Sequence, residues 1–554
     1  MSLKTRGILL VLSLIFFLAP WWTPHFEQVA GHNMFITGDS IFFLGLAIFV
    51  GLISQWLLPQ SLLDGTDRLF GFVRSKFIFF AISFLLLVLC ALYWVNQNIL
   101  HSFMNSADEH SCYFLAESIR MGKWWVEPHP LSEFFNVVHV GNRDGKWFSV
   151  YPPGWPLVWA LGLQFNIVDW LNPILATLSL IFFYKAAKKI FGMSSAWFGI
   201  FCLVITPYFA FTSASYFSHG TCLFMVALFV YAFLKWMESS QESKRILWAV
   251  IAAFACGYGL NTRYLTMAAI AAPFILYRLF RILMRKEKVD KADFIFSGIL
   301  ILSFAFALYN NYMVSGKPFK APNRYDKGWE RLGFRGGYSV VEGLFYIVAR
   351  LFYLIDWVPP MFVVLFFASL FQKRSFEFYG QLFRWGFFYL VFAYFLYYSW
   401  GGNQFGPRYY FEGVPFLMLA MADGLRYWWK EGVPALKKFL LGVVIVSLGT
   451  AGYQFYEQGS FYEVASAQRK ALYVLAEQTI NKPSIVFIKG FLGDKLVMSQ
   501  DDAIRNSPRL DGIILYARDI PEKNQLLREF YPDREYYLGY FDRTSKEAKL
   551  EKMT

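Results

Sequence analysis

The stretch "FIFFAISFLLLVLCALYWV" at residues 77–95 contains no charged side chain and is long enough to cross a bilayer as one helix. A comparable run, "FIFSGILILSFAFALYNNYMV", covers residues 294–314. The 554-residue chain is 56% hydrophobic and only 16% charged, whereas soluble domains average about 25% charged residues. The sequence therefore predicts an all-α polytopic membrane protein.

Clusters of Lys and Arg predict the orientation of the chain, because such clusters favour the cytoplasmic side. Examples are "KAAKK" at 185–189 and "RLFRILMRKEKVDK" at 278–291. The first apolar run follows Lys4 and Arg6 without a small-residue cleavage site, which predicts a retained helix. Placing the clusters inside predicts about thirteen transmembrane helices, with the N-terminus inside and the C-terminus outside. One broken or re-entrant piece is expected within residues 151–184.

Composition also excludes several classes of function. The net charge of +13 is explained by the basic loops that set orientation, so nucleic-acid binding has no support. Only Cys112 of the five cysteines lies in a polar loop, and no disulfide framework is predicted. The sequence contains no P-loop, no dinucleotide-binding glycine fingerprint and no serine nucleophile elbow.

Four polar segments fall on the outer side in this topology: the loop 99–150, the loop 315–338, the turn 399–410 and the tail from residue 457. The tail alternates apolar stretches such as "SIVFI" with charged ones, which is typical of a small α/β domain. We therefore predict a transmembrane catalytic region at 1–456 and an extracytoplasmic C-terminal domain at 457–554.

The stretch "NSADEHSCYF" at 105–114 places Asp108 and Glu109 where the chain leaves the bilayer. A carboxylate that is partly desolvated there could serve as a general base, so both are candidate catalytic residues. The alternative is a helix cap, because Glu109 follows Ser106 by three residues. A metal site is also open, since Asp108, Glu109, His110, His129 and His139 are all ligand types. No zinc spacing matches, and we predict no metal and no cofactor.

The outer loop "GKPFKAPNRYDKGWERLGFRGG" at 316–337 holds six basic and two acidic side chains. Basic groups outside oppose the usual bias, and an anionic ligand such as a lipid phosphate explains them. The candidate phosphate-binding residues in this loop are Lys320, Arg324 and Lys327. Contact with anionic headgroups and an inverted local topology are the alternatives.

A second basic candidate, Arg408, lies in the turn "GGNQFGPRYYFEGVP" at 401–415. Fixed between Pro407 and two tyrosines, it suits a bound anion, although an arginine at the membrane edge can also snorkel. Arg263, in "GLNTRYL", is a weaker phosphate-binding candidate, with a satisfied polar turn as the alternative. Candidates for contact with sugar or acceptor are His110, His129, Tyr151, Trp155, His219 and Tyr409.

An outward-facing carboxylate and outward-facing cations suggest synthesis outside the cytoplasm, where no pool of nucleotide sugars is at hand. The activated donor must then be carried through the bilayer, and a lipid phosphate fits the cations. The interpretation is a glycosyltransferase that moves one sugar to a glycolipid, polysaccharide or protein acceptor. A ligase that uses a lipid diphosphate and a flippase of lipid-linked sugars are the alternatives. A flippase would be expected to carry ionisable groups near the midplane, which the run at 77–95 does not.

Three motifs resemble the GT-C superfamily of polytopic glycosyltransferases: "SADEH" at 106–110, "YPPGWPLVWALG" at 151–162 and "FGPRYYFEGVPFLMLAMADG" at 405–424. The resemblance is to the branch of protein O-mannosyltransferases, which includes the lipid A aminoarabinose transferases. It implies a polyprenyl-phosphate donor, inversion at the anomeric carbon and an active site on the outer side of the plasma (inner) membrane. It also implies that Asp108 is the catalytic acid/base with Glu109 as its neighbour, and that Arg408 holds the lipid phosphate. The acidic pair here follows the third hydrophobic run rather than the first, and the loop 316–337 matches no motif of the family.

Overall fold

The computed structural model describes residues 3–18, 38–75, 77–327, 332–372, 377–401, 404–489, 504–542 and 544–553. Most of these residues are helical, which confirms the prediction of a mainly α-helical membrane protein. The first helices are α1 (Leu3–Phe17), α2 (Gly38–Leu57), α3 (Gln60–Ser75), α4 (Phe77–Trp94, extended by a π turn, Val95–Ile99) and α5 (Ala107–Arg120). The central helices are α6 (Gly154–Phe165), α7 (Val168–Phe191), α8 (Met193–Val204), α9 (Pro207–Ala214), α10 (His219–Glu238), α11 (Glu242–Leu260), α12 (Tyr264–Leu283) and α13 (Lys291–Ser315).

The second half of the chain continues this pattern and adds a small sheet. Its helices are α14 (Pro322–Lys327), α15 (Val340–Ile355), α16 (Pro360–Leu370), α17 (Phe378–Arg384), α18 (Gly386–Phe395), α19 (Val414–Glu431), α20 (Pro434–Thr479) and α21 (Asn524–Phe530), with 3₁₀ turns at Ser132–Phe134 and Arg408–Gly413. The strands are β1 (Val140–Arg143), β2 (Lys146–Ser149), β3 (Ser484–Ile488), β4 (Ile514–Arg518), β5 (Glu535–Asp542) and β6 (Glu547–Lys552).

Among the described residues, six helices are long and apolar enough to cross a membrane: Asp39–Leu57, Ile78–Ile99, His219–Glu238, Tyr264–Leu283, Lys291–Ser315 and Pro434–Thr479. A seventh span results if α8 and α9, bent by 67°, form one. The bend occurs where Thr206 caps α9 and Pro207 takes its first position, because proline begins a helix but cannot continue one. The described residues also include three shorter apolar helices, and the predicted thirteen crossings are not confirmed.

The spans divide into an inner and an outer set by burial. Within its most apolar window, α10 is 72% buried, whereas α13 is only 11% buried and α4 17%. Side chains such as Ile301 and Leu302 of α13 are apolar and exposed, as expected where lipid rather than water surrounds a helix. The interior is filled by aromatic side chains, for example Phe229 and Phe233 on α10.

The C-terminal strands form a four-stranded sheet in the order β4-β3-β5-β6, in which β3 is parallel to both neighbours and β6 is antiparallel to β5. This sheet shares a hydrophobic core with the segment after α4, where Phe134 contacts Phe487. Helix α20 runs for 46 residues without a break and passes residue 456. The division at 456 and the extracytoplasmic position of the C-terminal part stay predictions.

Candidate active site

A cavity of about 350 Å³ lies where α5, α10, α12 and the segment 394–409 meet. Six of the residues predicted from the sequence line it: Asp108, Tyr151, His219, Arg263, Arg408 and Tyr409. Further polar lining residues are Ser218, His139, Thr262, Asn323, Tyr394, Tyr397 and Ser399. Residues from distant parts of the sequence thus converge on one space.

Asp108 occupies the first turn of α5. The helix begins with the capping box that was the alternative interpretation of this stretch: Ser106 Oγ accepts from the backbone N–H of Glu109 (3.3 Å), and the Glu109 carboxylate accepts from that of Ser106 (3.0 Å). Carboxylates are stabilised at this end of a helix by its dipole. The box therefore orients the turn that directs Asp108 into the cavity.

Three side chains contact the Asp108 carboxylate. Arg408 Nη1 donates to Asp108 Oδ2 at 2.7 Å. Tyr151 donates its hydroxyl to Asp108 Oδ1, and His139 Nε2 lies 3.3 Å from the same oxygen. His139 itself has φ of 67°, an uncommon conformation for a residue other than glycine that is often found at functional sites.

These contacts determine the protonation state of Asp108. Burial by itself would raise the pKa of the carboxyl, but the charges of Arg408 and His139 and the hydrogen bond from Tyr151 outweigh it. The pKa of Asp108 is therefore held well below its usual value. At neutral pH Asp108 is therefore an anion that can accept a proton.

Arg408 is fixed by the turn that precedes α19. Tyr208 donates its hydroxyl to the Pro407 carbonyl at 2.5 Å, and the Arg408 guanidinium lies 4.3 Å from the centroid of the Phe217 ring. Its side chain is 11% exposed. A snorkelling arginine would extend towards water, whereas this one is held in a buried ion pair that points into the cavity.

A second ionic cluster lies beside the first. His219 Nδ1 is 3.0 Å from Glu412 Oε1, and Arg263 Nε is 3.4 Å from the same oxygen. Glu412 has no exposed surface, whereas Arg263 and His219 reach the cavity. The cavity wall thus carries two arginines, and each has one carboxylate neighbour.

Glu109 and His110 are buried residues of α5 that do not line the cavity. Glu109 Oε1 accepts from the backbone N–H of Tyr216 at 2.9 Å, and burial raises the pKa of Glu109 to about 7. His110 Nε2 lies 3.3 Å from the Asn506 carbonyl, and burial lowers the pKa of His110 to about 3. These positions give Glu109 a capping contact and His110 a packing contact, so a direct role in catalysis or ligand binding stays a prediction for both.

Two aromatic candidates also lie away from the cavity. Trp155 is 1% exposed and donates its indole N–H to the Tyr216 carbonyl at 2.7 Å. His129 Nε2 lies 3.1 Å from the hydroxyl of Tyr531, which directly follows α21. Both residues were candidates because aromatic rings and histidines suit sugar contacts. In the structure the side chains of both contact other residues of the protein instead of the cavity.

In the basic loop 316–337, the described residue that lines the cavity is Asn323. The Lys320 ammonium lies 5.0 Å from the centroid of the Tyr325 ring, and Arg324 is exposed. Residues 328–331 and the side chain of Lys327 lie outside the described residues. Helix α14 packs on the β1–β2 hairpin, where Arg143 donates to the Tyr325 carbonyl at 2.6 Å.

Sequence reasoning missed Glu412 and Asn323, and it weighed His139 only as a metal ligand. Glu412 stands four residues after Arg408 in the same motif, a signal that could have identified it. Asn323 and His139 carry no local signal. Within the ranges that the structure describes, no group of three or more His, Cys, Asp or Glu residues could hold a metal ion, and the absence of a cofactor stays a prediction.

Residues 158–309 match the family described as dolichyl-phosphate-mannose-protein mannosyltransferase. ArnT from Cupriavidus metallidurans in the apo state is similar in structure, with a TM-score of 0.54 and 13% identity over 85% of this chain and 94% of that one. The same enzyme bound to undecaprenyl phosphate has a TM-score of 0.49 and 12% identity over the same shares. No curated protein sequence matches the chain.

An archaeal oligosaccharyltransferase from Archaeoglobus fulgidus has a TM-score of 0.46 and 13% identity over 74% of this chain and 62% of that one. At such identities only the fold is shared, and the apo ArnT structure is the comparison on which that statement rests. The family match over residues 158–309 confirms the predicted resemblance to protein O-mannosyltransferases and supports the prediction of a glycosyltransferase. The apo ArnT structure shares the fold of this chain.

Proposed function

We propose that the protein transfers a single sugar from a polyprenyl-phosphate donor to a hydroxyl or phosphate group of an acceptor, with inversion. Asp108 is the general base, and Arg408 binds the donor phosphate. The observation that carries the proposal is the Asp108–Arg408 pair, with an Oδ2–Nη1 distance of 2.7 Å at the wall of a cavity large enough for a sugar. A base and an anion-binding group in one enclosed space are what this transfer requires.

The donor class follows from the charges on the cavity wall. Arg408 and Arg263 both line it, and arginine suits phosphate because its planar guanidinium can donate two parallel hydrogen bonds. The family that matches residues 158–309 is described by a dolichyl-phosphate-linked sugar, which supports a lipid phosphate as carrier. Tyr151 and Tyr409 are the proposed sugar contacts, because both residues line the same cavity.

The proposed reaction is one displacement. The acceptor oxygen forms a bond to the anomeric carbon while the bond from that carbon to the phosphate oxygen breaks, and the electron pair leaves with the phosphate. The acceptor's proton goes to an Asp108 carboxylate oxygen. The phosphate gains one negative charge as it leaves, so Arg408 and Arg263 stabilise the transition state more than the bound donor.

Donor binding would also activate the base. In the free protein Arg408 and His139 hold the pKa of Asp108 low, which keeps the carboxylate charged but makes it a weak base. A donor phosphate that takes over the Arg408 guanidinium removes part of this stabilisation, because the phosphate competes for the same donors. The pKa of Asp108 then rises towards the range in which it accepts a proton efficiently.

We place the reaction on the extracytoplasmic side of the plasma membrane, as the predicted orientation requires. The proposed acceptor is a glycolipid, a polysaccharide or a protein. The exposed aromatic side chain of Tyr264 borders the cavity, which supports entry of both substrates from the membrane interface.

The experiment is a transfer assay with purified protein in liposomes, synthetic prenyl-phosphate sugars and a membrane extract as the source of acceptor. The release of prenyl phosphate and the anomeric configuration of the product are measured. Asp108→Asn should lower the rate by about 10²- to 10⁴-fold, because a positioned base contributes that much. The product should carry the configuration opposite to that of the donor.

Glu127→Gln is the matched control, because Glu127 is an exposed carboxylate in the same segment after α4. It should transfer at the wild-type rate. Full activity of Asp108→Asn would refute the assignment of the base, and retention of configuration would refute the single displacement. Turnover of a lipid-diphosphate oligosaccharide in place of the phosphate sugar would favour a ligase.

A further inference from the structure

A second cavity, of about 340 Å³, lies between α3, α8, α19 and α20. Its walls are mainly apolar, with Phe198, Leu441 and Val444 among them. Two basic side chains, Arg426 and Lys430, stand at its polar part together with the hydroxyls of Thr66, Ser194 and Ser195. The proposed transfer reaction does not use this space.

The second cavity lies at the opposite end of the protein from the candidate active site. Helix α7 connects the two regions: Asp169, near its start, accepts from the Tyr216 hydroxyl at 2.5 Å, and the carbonyl of Phe191, at its end, accepts from Arg426 at 3.1 Å. Its 24 residues span roughly 36 Å at 1.5 Å per residue. The two cavities thus lie near opposite ends of α7.

No described carboxylate forms an ion pair with the basic groups of this cavity. Among the described residues, neither Arg426 nor Lys430 forms an ion pair, and the hydrogen bond from Arg426 to Phe191 is to a neutral carbonyl. The buried carboxylate nearby, Asp423, accepts from Ser195 Oγ at 3.4 Å. Gly192 has φ of 87°, and a Cβ there would meet Arg426 Nη1 at 2.7 Å, so the glycine leaves room for the guanidinium.

We propose that this cavity binds one anionic glycerophospholipid. The lipid phosphate accepts hydrogen bonds from Arg426 and Lys430, and an acyl chain lies along Phe198, Leu441 and Val444. An apolar space at membrane depth is filled more favourably by a lipid chain than by water. The uncompensated cations then favour a headgroup with net negative charge over a zwitterionic one.

Native mass spectrometry of the full-length protein tests this proposal. Phosphatidylglycerol and phosphatidylcholine with the same chains are added in competition, and the retained lipid is counted. The wild-type protein should retain one phosphatidylglycerol in preference to phosphatidylcholine. Arg426 and Lys430 should each contribute about a fivefold preference. Arg426→Gln should reduce the preference by about fivefold, and Val444→Trp should reduce the retention of both lipids.

Lys437→Gln is the matched control, because Lys437 is in the first turn of α20 but does not line the cavity. It should leave the preference unchanged. If Arg426→Gln fails to fold, Lys430→Gln is used in its place. Lys430 is exposed, and its replacement removes the other positive charge of the cavity. Equal retention of the two lipids by the wild-type protein would overturn the proposal. So would an unchanged preference in both charge variants, or a bound polyprenyl phosphate in place of the phospholipid.

Discussion

Replacing Asp108 by asparagine should strengthen the binding of a polyprenyl phosphate, although it should slow sugar transfer. In the free protein the Asp108 carboxylate and an incoming phosphate compete for the same donor, Arg408 Nη1, which lies 2.7 Å from Asp108 Oδ2. Asparagine has almost the same shape but no charge. Its side chain therefore occupies the position without holding the guanidinium as firmly.

The size of the effect follows from the exposure of the pair. Two unit charges about 4 Å apart attract each other by about 4 kcal/mol at an effective dielectric constant of about 20. Side-chain exposures of 11% for Arg408 and 21% for Asp108 indicate that solvent screens part of this attraction. A gain of about 1 to 2 kcal/mol on removal of the competitor corresponds to roughly five- to thirtyfold tighter binding.

The assay is titration of purified protein in detergent with a short-chain polyprenyl phosphate without sugar, followed by tryptophan fluorescence or native mass spectrometry. Asp108→Asn should bind more tightly than the wild-type protein and Arg408→Gln more weakly. The double variant should bind about as weakly as Arg408→Gln, since the charge matters only through Arg408. Glu127→Gln, an exposed carboxylate in the same segment, is the control and should bind like the wild-type protein.

Weaker binding by Asp108→Asn would refute the competition and show that the carboxylate helps to organise the phosphate site. Unchanged binding by Arg408→Gln would remove Arg408 from that site. An intact melting temperature in both variants is needed to separate these outcomes from unfolding.

Three further predictions concern the residues around the cavity. Burial raises the pKa of Glu109 from 4.5 to about 7, so between these two pH values the folded protein keeps a proton that the unfolded chain loses. The stability of the folded protein should therefore fall as the pH rises from 4.5 to about 7. The melting temperature of Glu109→Gln should lack this decline. Gly401→Ala should reduce transfer, because φ at this position is 68° and a Cβ would lie 2.2 Å from the Tyr409 ring. Glu412→Gln should destabilise the protein by about 3 kcal/mol, because it leaves the Arg263 guanidinium unpaired, and Arg263→Gln should restore part of the loss in thermal melts.

The first two of these changes have a matched control. Gly449→Ala adds a methyl group where nothing lies within 4 Å of the new Cβ, and it should leave transfer unchanged. Glu127→Gln should reproduce the wild-type dependence of the melting temperature on pH. A wild-type rate in Gly401→Ala would show that the Tyr409 ring is not needed in its present place, and an unchanged melting temperature in Glu412→Gln would contradict the role assigned to that carboxylate.

The features that the sequence determined by itself are local. The uncharged run at 77–95 has to lie in lipid or in a protein core, and it forms helix α4, Phe77–Trp94. The capping box of Ser106 and Glu109 needs only three residues of separation, so spacing alone predicts it. Hydrophobicity and short-range spacing act within one helix and can be read without knowledge of the rest of the chain.

The partners of the site residues were decided by tertiary structure. Asp108 and Arg408 are separated by 300 residues, and His219 and Glu412 by 193; each was recognisable as a type, but no local pattern states which pairs meet. Residue type also suggested His129 and Trp155, but the side chains of these residues contact other parts of the protein and do not line the cavity. Which cation faces a cavity and which lies on a tyrosine ring, as Lys320 does, depends on how the helices pack. That packing is the sum of many weak contacts spread over the whole chain.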